Sequence, residues 1–216
     1  MPTALLFPGQ GSHTPAMRSV ADEFAPELAE LVLNEAGPDA FDRAGDSTAF
    51  AQPAIVCASL AQWIGAGRPS AGLFAGHSLG ELSALAAAGS LDHADAVRLA
   101  VVRGSLMEAA AEKTPGTMVA LLGDSAEARA AAAESGLEIA NDNGPTQLVA
   151  DGSPEAIEVV TRKGKARGVR AMELPVSGAF HTRAMAPALE PFREALEEIE
   201  IKPPTTPVHS CSTATP

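Results

Sequence analysis

Gly76-His77-Ser78-Leu79-Gly80 fits the pattern G-x-S-x-G, in which the glycines permit a strained turn that lifts a serine hydroxyl above a sheet at a helix start. In a chain with 19 glycines the string alone says little, so its flanks decide. Ala71 to Ala75 is a short run of small apolar residues, and Glu81 to Ala88 is rich in Ala and Leu and closed by Gly89. Strand, tight turn and helix are the context such a nucleophile needs. Ser78 is therefore the candidate nucleophile, and it requires a base. Of the five histidines, His77 lies on the wrong side of the turn and His93 follows a helix cap, while His13 and His209 have no feature to raise them. His181 lies in Ser177-Gly178-Ala179-Phe180-His181, beside small residues that allow close approach to another element, and is the leading candidate for general base and acid.

Arg103 is the third informative residue. Its helical neighbours Ala96, Leu99, Ala100, Leu106 and Met107 are all apolar, so the arginine points from a face that should be buried. A buried guanidinium without a partner is costly, which leaves an internal carboxylate, backbone carbonyls or the acid group of a ligand as its partner. A snorkelling side chain whose head returns to water is the alternative. Arg98, with Asp95 three residues before it, reads instead as a solvated ion pair.

The elements that must position these residues follow from periodicity. Thr3 to Phe7 reads as a buried strand ended by Pro8 and followed by the loop Gly9-Gln10-Gly11-Ser12. One helix is expected over Ser19 to Asn34 and another over Pro53 to Ile64, and Asp92 caps a long helix running to Lys113. From Thr117 the order is strand, helix, strand, strand, helix, strand, ending with Val169 to Leu174, which is the βαββαβ split unit. It predicts a small subdomain over 117–174 inserted into a large α/β subdomain formed by 1–116 and 175–216. Met185, Leu189, Phe192, Leu196 and Ile199 mark one more helix, with Pro187 and Pro191 placing its regular part late, and the remaining segment has room for one short strand.

The composition limits what this chemistry serves. The chain has 216 residues, 46% hydrophobic and 19% charged, ample for a core. With 15 Lys and Arg against 27 Asp and Glu, its net charge of −12 argues against wrapping a nucleic acid or docking on an anionic membrane. No basic leader precedes the first strand, and the longest charge-free run, Ser47 to Gly67, is broken by Gln52, Pro53, Gln62 and Gly65. Cys57 and Cys211 form neither a CxxC pair nor a metal spacing, so reduced thiols and a cytoplasmic location are expected. No phosphate loop, dinucleotide fingerprint or zinc motif is present in the sequence.

Taken in order along the chain, the segments resemble the malonyl-CoA:acyl carrier protein transacylases and the acyltransferase domains of fatty acid and polyketide synthases. Phe7-Pro8-Gly9-Gln10-Gly11-Ser12, Gln52-Pro53-Ala54, Gly76-His77-Ser78-Leu79-Gly80-Glu81, Arg103-Gly104, Asn141-Asp142-Asn143 and Val176-Ser177-Gly178-Ala179-Phe180-His181 carry the likeness over essentially the whole chain. The resemblance implies an α/β-hydrolase-like large subdomain with an inserted ferredoxin-like small one. It implies Ser78 as nucleophile, His181 as base, an oxyanion hole from the N–H groups of Leu79 and Gln10, and Arg103 as the clamp on a malonyl carboxylate. Phe180 resembles the malonyl-selective members, and Asn141 stands in a turn of the small subdomain near substrate. The implied partners are malonyl-CoA, as substrate rather than cofactor, and an acyl carrier protein, with Arg162, Lys163, Lys165, Arg167 and Arg170 as part of the carrier surface. Relatives of this type continue beyond the position of Pro216, so further chain is expected to complete the large subdomain. The alternatives are a serine esterase or thioesterase with Asp142 or Asp151 as third member, and a carrier-binding remnant without turnover.

Overall fold

The computed structural model describes residues 3–176, 178–213 and 215. Ser177 of the histidine motif lies outside the described residues. Two compact units divide the mixed α/β chain: Met1–Leu106 with Pro191–Pro216, and Met107–Glu190.

The first unit opens with β1 (Ala4–Phe7), α1 (Met17–Phe24) and α2 (Pro26–Ala36). The single helix expected over Ser19 to Asn34 is broken at Ala25, whose φ of −150° and ψ of 58° leave the helical region. Pro26 is the cause, because its ring excludes the preceding residue from α geometry and it supplies no N–H. The third helix, α3 (Thr48–Gly65), starts five residues earlier than expected and carries Pro53 inside it. The proline removes one intrahelical bond, and burial holds the helix together: every residue from Ala51 to Ala61 is buried. A helix that is apolar all round belongs at the centre of a core. Ile55, Val56 and Leu60 of α3 pack with Val32, Val97 and Leu99 there.

Next come β2 (Leu73–Gly76), α4 (Gly80–Ala87) and α5 (His93–Lys113). Asp92 does cap α5, its Oδ1 accepting the Ala94 N–H at 2.8 Å. Strands β1 and β2 pair in parallel with Phe7 opposite Gly76, so both chains leave the sheet at the same end. The chain passes between the units within α5.

The second unit holds β3 (Thr117–Leu122), α6 (Ser125–Ser135), β4 (Glu138–Asp142), β5 (Gln147–Gly152), α7 (Pro154–Ala166) and β6 (Arg170–Glu173). Its sheet runs β4-β5-β3-β6, antiparallel throughout. Val119, Leu121, Leu148 and Ala150 alternate along β3 and β5 and bury against Ala128, Ala131 and Ala132 of α6 and Ile157 and Val160 of α7. This period of two against two helix stripes closes a core of its own. A short 3-10 turn, Arg183–Met185, leads into α8 (Ala186–Glu197), within which the chain returns to the first unit. Regular helix begins before Pro191, contrary to expectation, because Pro187 falls in the first turn, where a missing N–H costs nothing. A last strand, β7 (Val208–His209), pairs in parallel with β2. Among the described residues no helix is long and apolar enough to cross a membrane.

One polar group breaks the pattern. Asp151 stands opposite Glu138 across β5 and β4, and its buried Oδ1 has no hydrogen-bond partner among the described residues. Burial, and then Glu138, push its pKa above the ordinary value of 3.8. The folded chain therefore binds this proton more tightly than the unfolded chain. Stability is unpenalised below about pH 3.8 and falls as pH rises through the raised pKa. Asp151→Asn is expected to raise the thermal midpoint at pH 7, with the gain narrowing toward pH 4; a lower midpoint at pH 7 contradicts the assignment.

Candidate active site

Ser78 stands at the turn between β2 and α4 with φ of 52°, a left-handed conformation that non-glycine residues rarely adopt. The turn closes on itself through the Gly80 N–H to the His77 carbonyl at 3.0 Å and the Glu81 N–H to the Ser78 carbonyl at 3.1 Å. Its glycines are steric necessities. A Cβ on Gly76 would collide with the Gly80 carbonyl, and one on Gly80 with the carbonyl of Phe7. The strand end, the helix start and the end of β1 therefore meet backbone to backbone. The His77 N–H donates to the Phe7 carbonyl at 3.2 Å, extending the β1–β2 pairing into the turn.

Arg103 is brought to this serine by α5. Its Nη2 donates to Ser78 Oγ at 3.1 Å and its Nη1 to Gln52 Oε1 at 2.8 Å. Gln52 is wholly buried in α3. Gly104 lets α5 come this close, since a Cβ there would lie 2.7 Å from the Thr48 carbonyl. Thr48, at the start of α3, also donates its hydroxyl to Gln10 Oε1 at 2.5 Å, which ties the loop after β1 to the same helix. The question raised by the apolar face of Arg103 has a clear answer: among the described residues it makes no ion pair, only bonds to a neutral amide and a hydroxyl. Burial lowers its pKa, an effect Glu81 partly opposes.

The second unit carries Asn141, Phe180 and His181. His181 has φ of 63° and an exposed side chain, and it follows buried Ala179 and Phe180. Thr182 closes the segment, its hydroxyl donating to the Ala179 carbonyl at 2.7 Å and accepting the Ala184 N–H at 3.3 Å. Asn141 lies within β4 rather than in a turn, beside a register shift in the β4–β5 pairing. Asp142, the last residue of β4, is paired with Arg129 at 2.8 Å.

Residues 12–216 match the family model described as acyl transferase domain. The malonyl CoA-acyl carrier protein transacylase of Escherichia coli K12 is 37% identical over 227 residues, covering 95% of this chain and 72% of that protein. The chain belongs to the acyltransferase family. In structure it is similar to FabD from Acinetobacter baumannii, with a TM-score of 0.84 and 35% identity over 99% of this chain and 74% of that one. It is likewise similar to the acyltransferase domain from the second module of the salinomycin polyketide synthase, with a TM-score of 0.83 and 34% identity. There it covers 98% of this chain and 53% of the other.

Sequence patterns singled out Ser78 and Arg103 of this acyltransferase, and the resemblance added Leu79 and Gln10, all in its first unit, but neither said what holds them. Gln52 and Thr48 carry the positioning. A signal for Gln52 existed, since it is one of only two amides, with Gln62, in the charge-free run from Ser47 to Gly67. Cys211 had no signal, yet its thiol donates to the carbonyl of Gly76 under the turn, and burial raises its pKa. The turn yields a direct test. Gly80→Ala should destabilise the chain by about 1–3 kcal/mol through overpacking and slow labelling of Ser78 by a fluorophosphonate probe. Wild-type labelling would contradict the steric account.

Proposed function

We propose that the chain transfers a malonyl group from malonyl-CoA to the phosphopantetheine thiol of an acyl carrier protein through a malonyl-serine intermediate. The observation that carries this reading is Arg103: a half-buried guanidinium, ion-paired with no carboxylate among the described residues, donates to the nucleophile itself. A substrate that brings its own carboxylate next to the reacting carbonyl supplies the missing partner in bidentate form. Acetyl groups and long neutral chains leave that guanidinium uncompensated.

Ser78 Oγ attacks the thioester carbonyl while His181 takes its proton. The N–H groups of Leu79 and Gln10 hold the oxyanion, the former at the N-terminus of α4. Collapse expels coenzyme A, whose thiolate leaves with the proton from His181, and malonyl remains on Ser78. The carrier thiol then gives its proton to His181, attacks the ester carbonyl and regenerates the serine. Phe180 narrows the acyl site against a methyl branch, a preference worth about 1–3 kcal/mol. Asn141, on β4, would bind the substrate. A serine hydrolase would call on an acid between Ser78 and His181 in chain order. Asp142 is engaged by Arg129 and the Gly144 N–H, and the raised pKa of Asp151 disfavours the anion such a triad requires.

The same reading makes the first unit an α/β-hydrolase-like large subdomain and the second a ferredoxin-like one, which its strand order supports. Two free thiols, with that of Cys57 pushed up to about 12 by burial, fit a cytoplasmic transferase. The carrier surface narrows relative to the basic run in the sequence. Lys163 pairs with Glu134, and Arg167 pairs with Glu127 and Glu134, which leaves Arg162, Lys165 and Arg170 exposed for an acidic carrier.

Arg103→Ala tests the assignment through selectivity. Truncating one partner of a buried charge pair costs roughly 2–5 kcal/mol. The variant is expected to lose about 30-fold or more in kcat/KM for malonyl-CoA, with acetyl-CoA affected far less. An unchanged preference for malonyl over acetyl would overturn the assignment.

A further inference from the structure

Two acids stand directly opposite each other at one end of the β4–β5 pairing, Glu138 and Asp151. Like charges in that relation are repulsive, so the arrangement calls for a compensating role. Glu138 bonds to the segment that carries His181, and Asp151 lies across Gly116 from the start of that segment. Glu138 accepts two bonds from one residue: its Oε1 takes the Arg183 backbone N–H at 3.2 Å and its Oε2 takes Arg183 Nε–H at 3.0 Å. Asp151 marks the other contact. A Cβ on Gly116 would lie 2.6 Å from Asp151 Oδ1 and 2.7 Å from the Ala179 Cβ, so this glycine lets the start of the segment settle beside the aspartate. His181 falls between the two points of attachment.

We propose that Glu138 is a positioning residue for His181, fixing the far side of the histidine loop through the Arg183 backbone N–H while Ala179, against Gly116 and Asp151, fixes the near side. The inference rests on the reading of His181 as general base. The physical need is plain. A non-glycine residue at φ of 63° persists only where its surroundings over-determine it. On the near side, buried Ala179 and Phe180 and the Thr182 hydroxyl supply that constraint. Beyond His181, Glu138 reaches from β4 to grip the backbone of Arg183.

The ion pair with the Arg183 side chain is not the working part. That side chain is 88% exposed, where such pairs contribute little. The bond from a main-chain N–H to a carboxylate is charge-assisted and acts directly on the loop. Arg183 also offsets the charge of the acid pair beneath it.

The test uses the whole 216-residue chain as Glu138→Ala, Glu138→Gln, Arg183→Ala and His181→Ala. A first readout needs no turnover: in Glu138→Ala, NMR signals of the amides around 179–185 should shift or broaden while those of β3 stay in place. A second is the pre-steady-state rate of Ser78 acylation by malonyl-CoA. Glu138→Ala should lower it about tenfold with KM within about twofold, the signature of a misplaced base rather than weaker binding. Glu138→Gln, whose amide oxygen still accepts the Arg183 N–H, should recover most of the rate, and Arg183→Ala, which keeps that N–H, should lose less than Glu138→Ala. Unchanged loop signals in Glu138→Ala overturn the inference, as does a Glu138→Gln chain no better than Glu138→Ala. If His181→Ala acylates at the wild-type rate, the parent reading of His181 fails. A dead His181→Ala beside a fully active Glu138→Ala sinks this inference alone.

Discussion

A half-buried guanidinium that ion-pairs with no carboxylate among the described residues is the constraint around which the first unit is arranged. Arg103 loses hydration on α5 and receives in exchange one amide oxygen and one serine hydroxyl, neither of them charged. Such a group is tolerable only if the fold surrounding it is strong enough to hold it and useful only if a charged partner arrives. The strength comes from α3. Its uninterrupted burial over Ala51 to Ala61 supplies the apolar mass, and its single internal amide, Gln52, aims the arginine at Ser78. Thr48 on the same helix holds Gln10, so one element sets both the anion clamp and the loop expected to contribute to the oxyanion hole.

Strain is concentrated in the same functional elements. Ser78 and His181 are two of the three described non-glycine residues with positive φ, each costing about 1–3 kcal/mol to hold. The devices that hold them differ. Around Ser78 the restraint is backbone against backbone, made possible by Gly76 and Gly80, and no side chain could take their place. Around His181 the restraint is a hydroxyl, a buried phenylalanine and a carboxylate, which is a looser and more tunable arrangement. A rigid nucleophile with a side-chain-restrained histidine suits the proposed two-stage transfer, in which the same histidine would serve two different leaving groups.

Much of this was legible in the residues because local rules and global fold agree there. The nucleophile turn announces itself through glycines at fixed offsets, the long helix through Asp92 and its apolar stripe, and Arg103 through the contradiction between its charge and its face. The second unit was readable strand by strand, since short apolar runs and turn residues alternate with two helix stripes. The misses in helix boundaries come from proline. Pro26 does break a helix, which the apolar spacing of Val20, Phe24, Leu28 and Leu31 concealed. Pro53 does not, because burial of the surrounding turns outweighs one lost bond, and Pro191 is accommodated within α8 as well. Partners distant in sequence, such as Gln52 for Arg103 and Glu138 for Arg183, follow from tertiary placement and had at most a compositional hint.

The central claim is that Ser78, presented on its turn beside Arg103, accepts a malonyl group from a thioester. Intact-protein mass spectrometry of the purified chain after brief exposure to malonyl-CoA tests it most directly, with peptide mapping of the adduct. The account predicts one malonyl group per chain, on the peptide containing Ser78, absent after acetyl-CoA and absent from Ser78→Ala. An equal yield from acetyl-CoA, or an adduct that persists in Ser78→Ala, would contradict it.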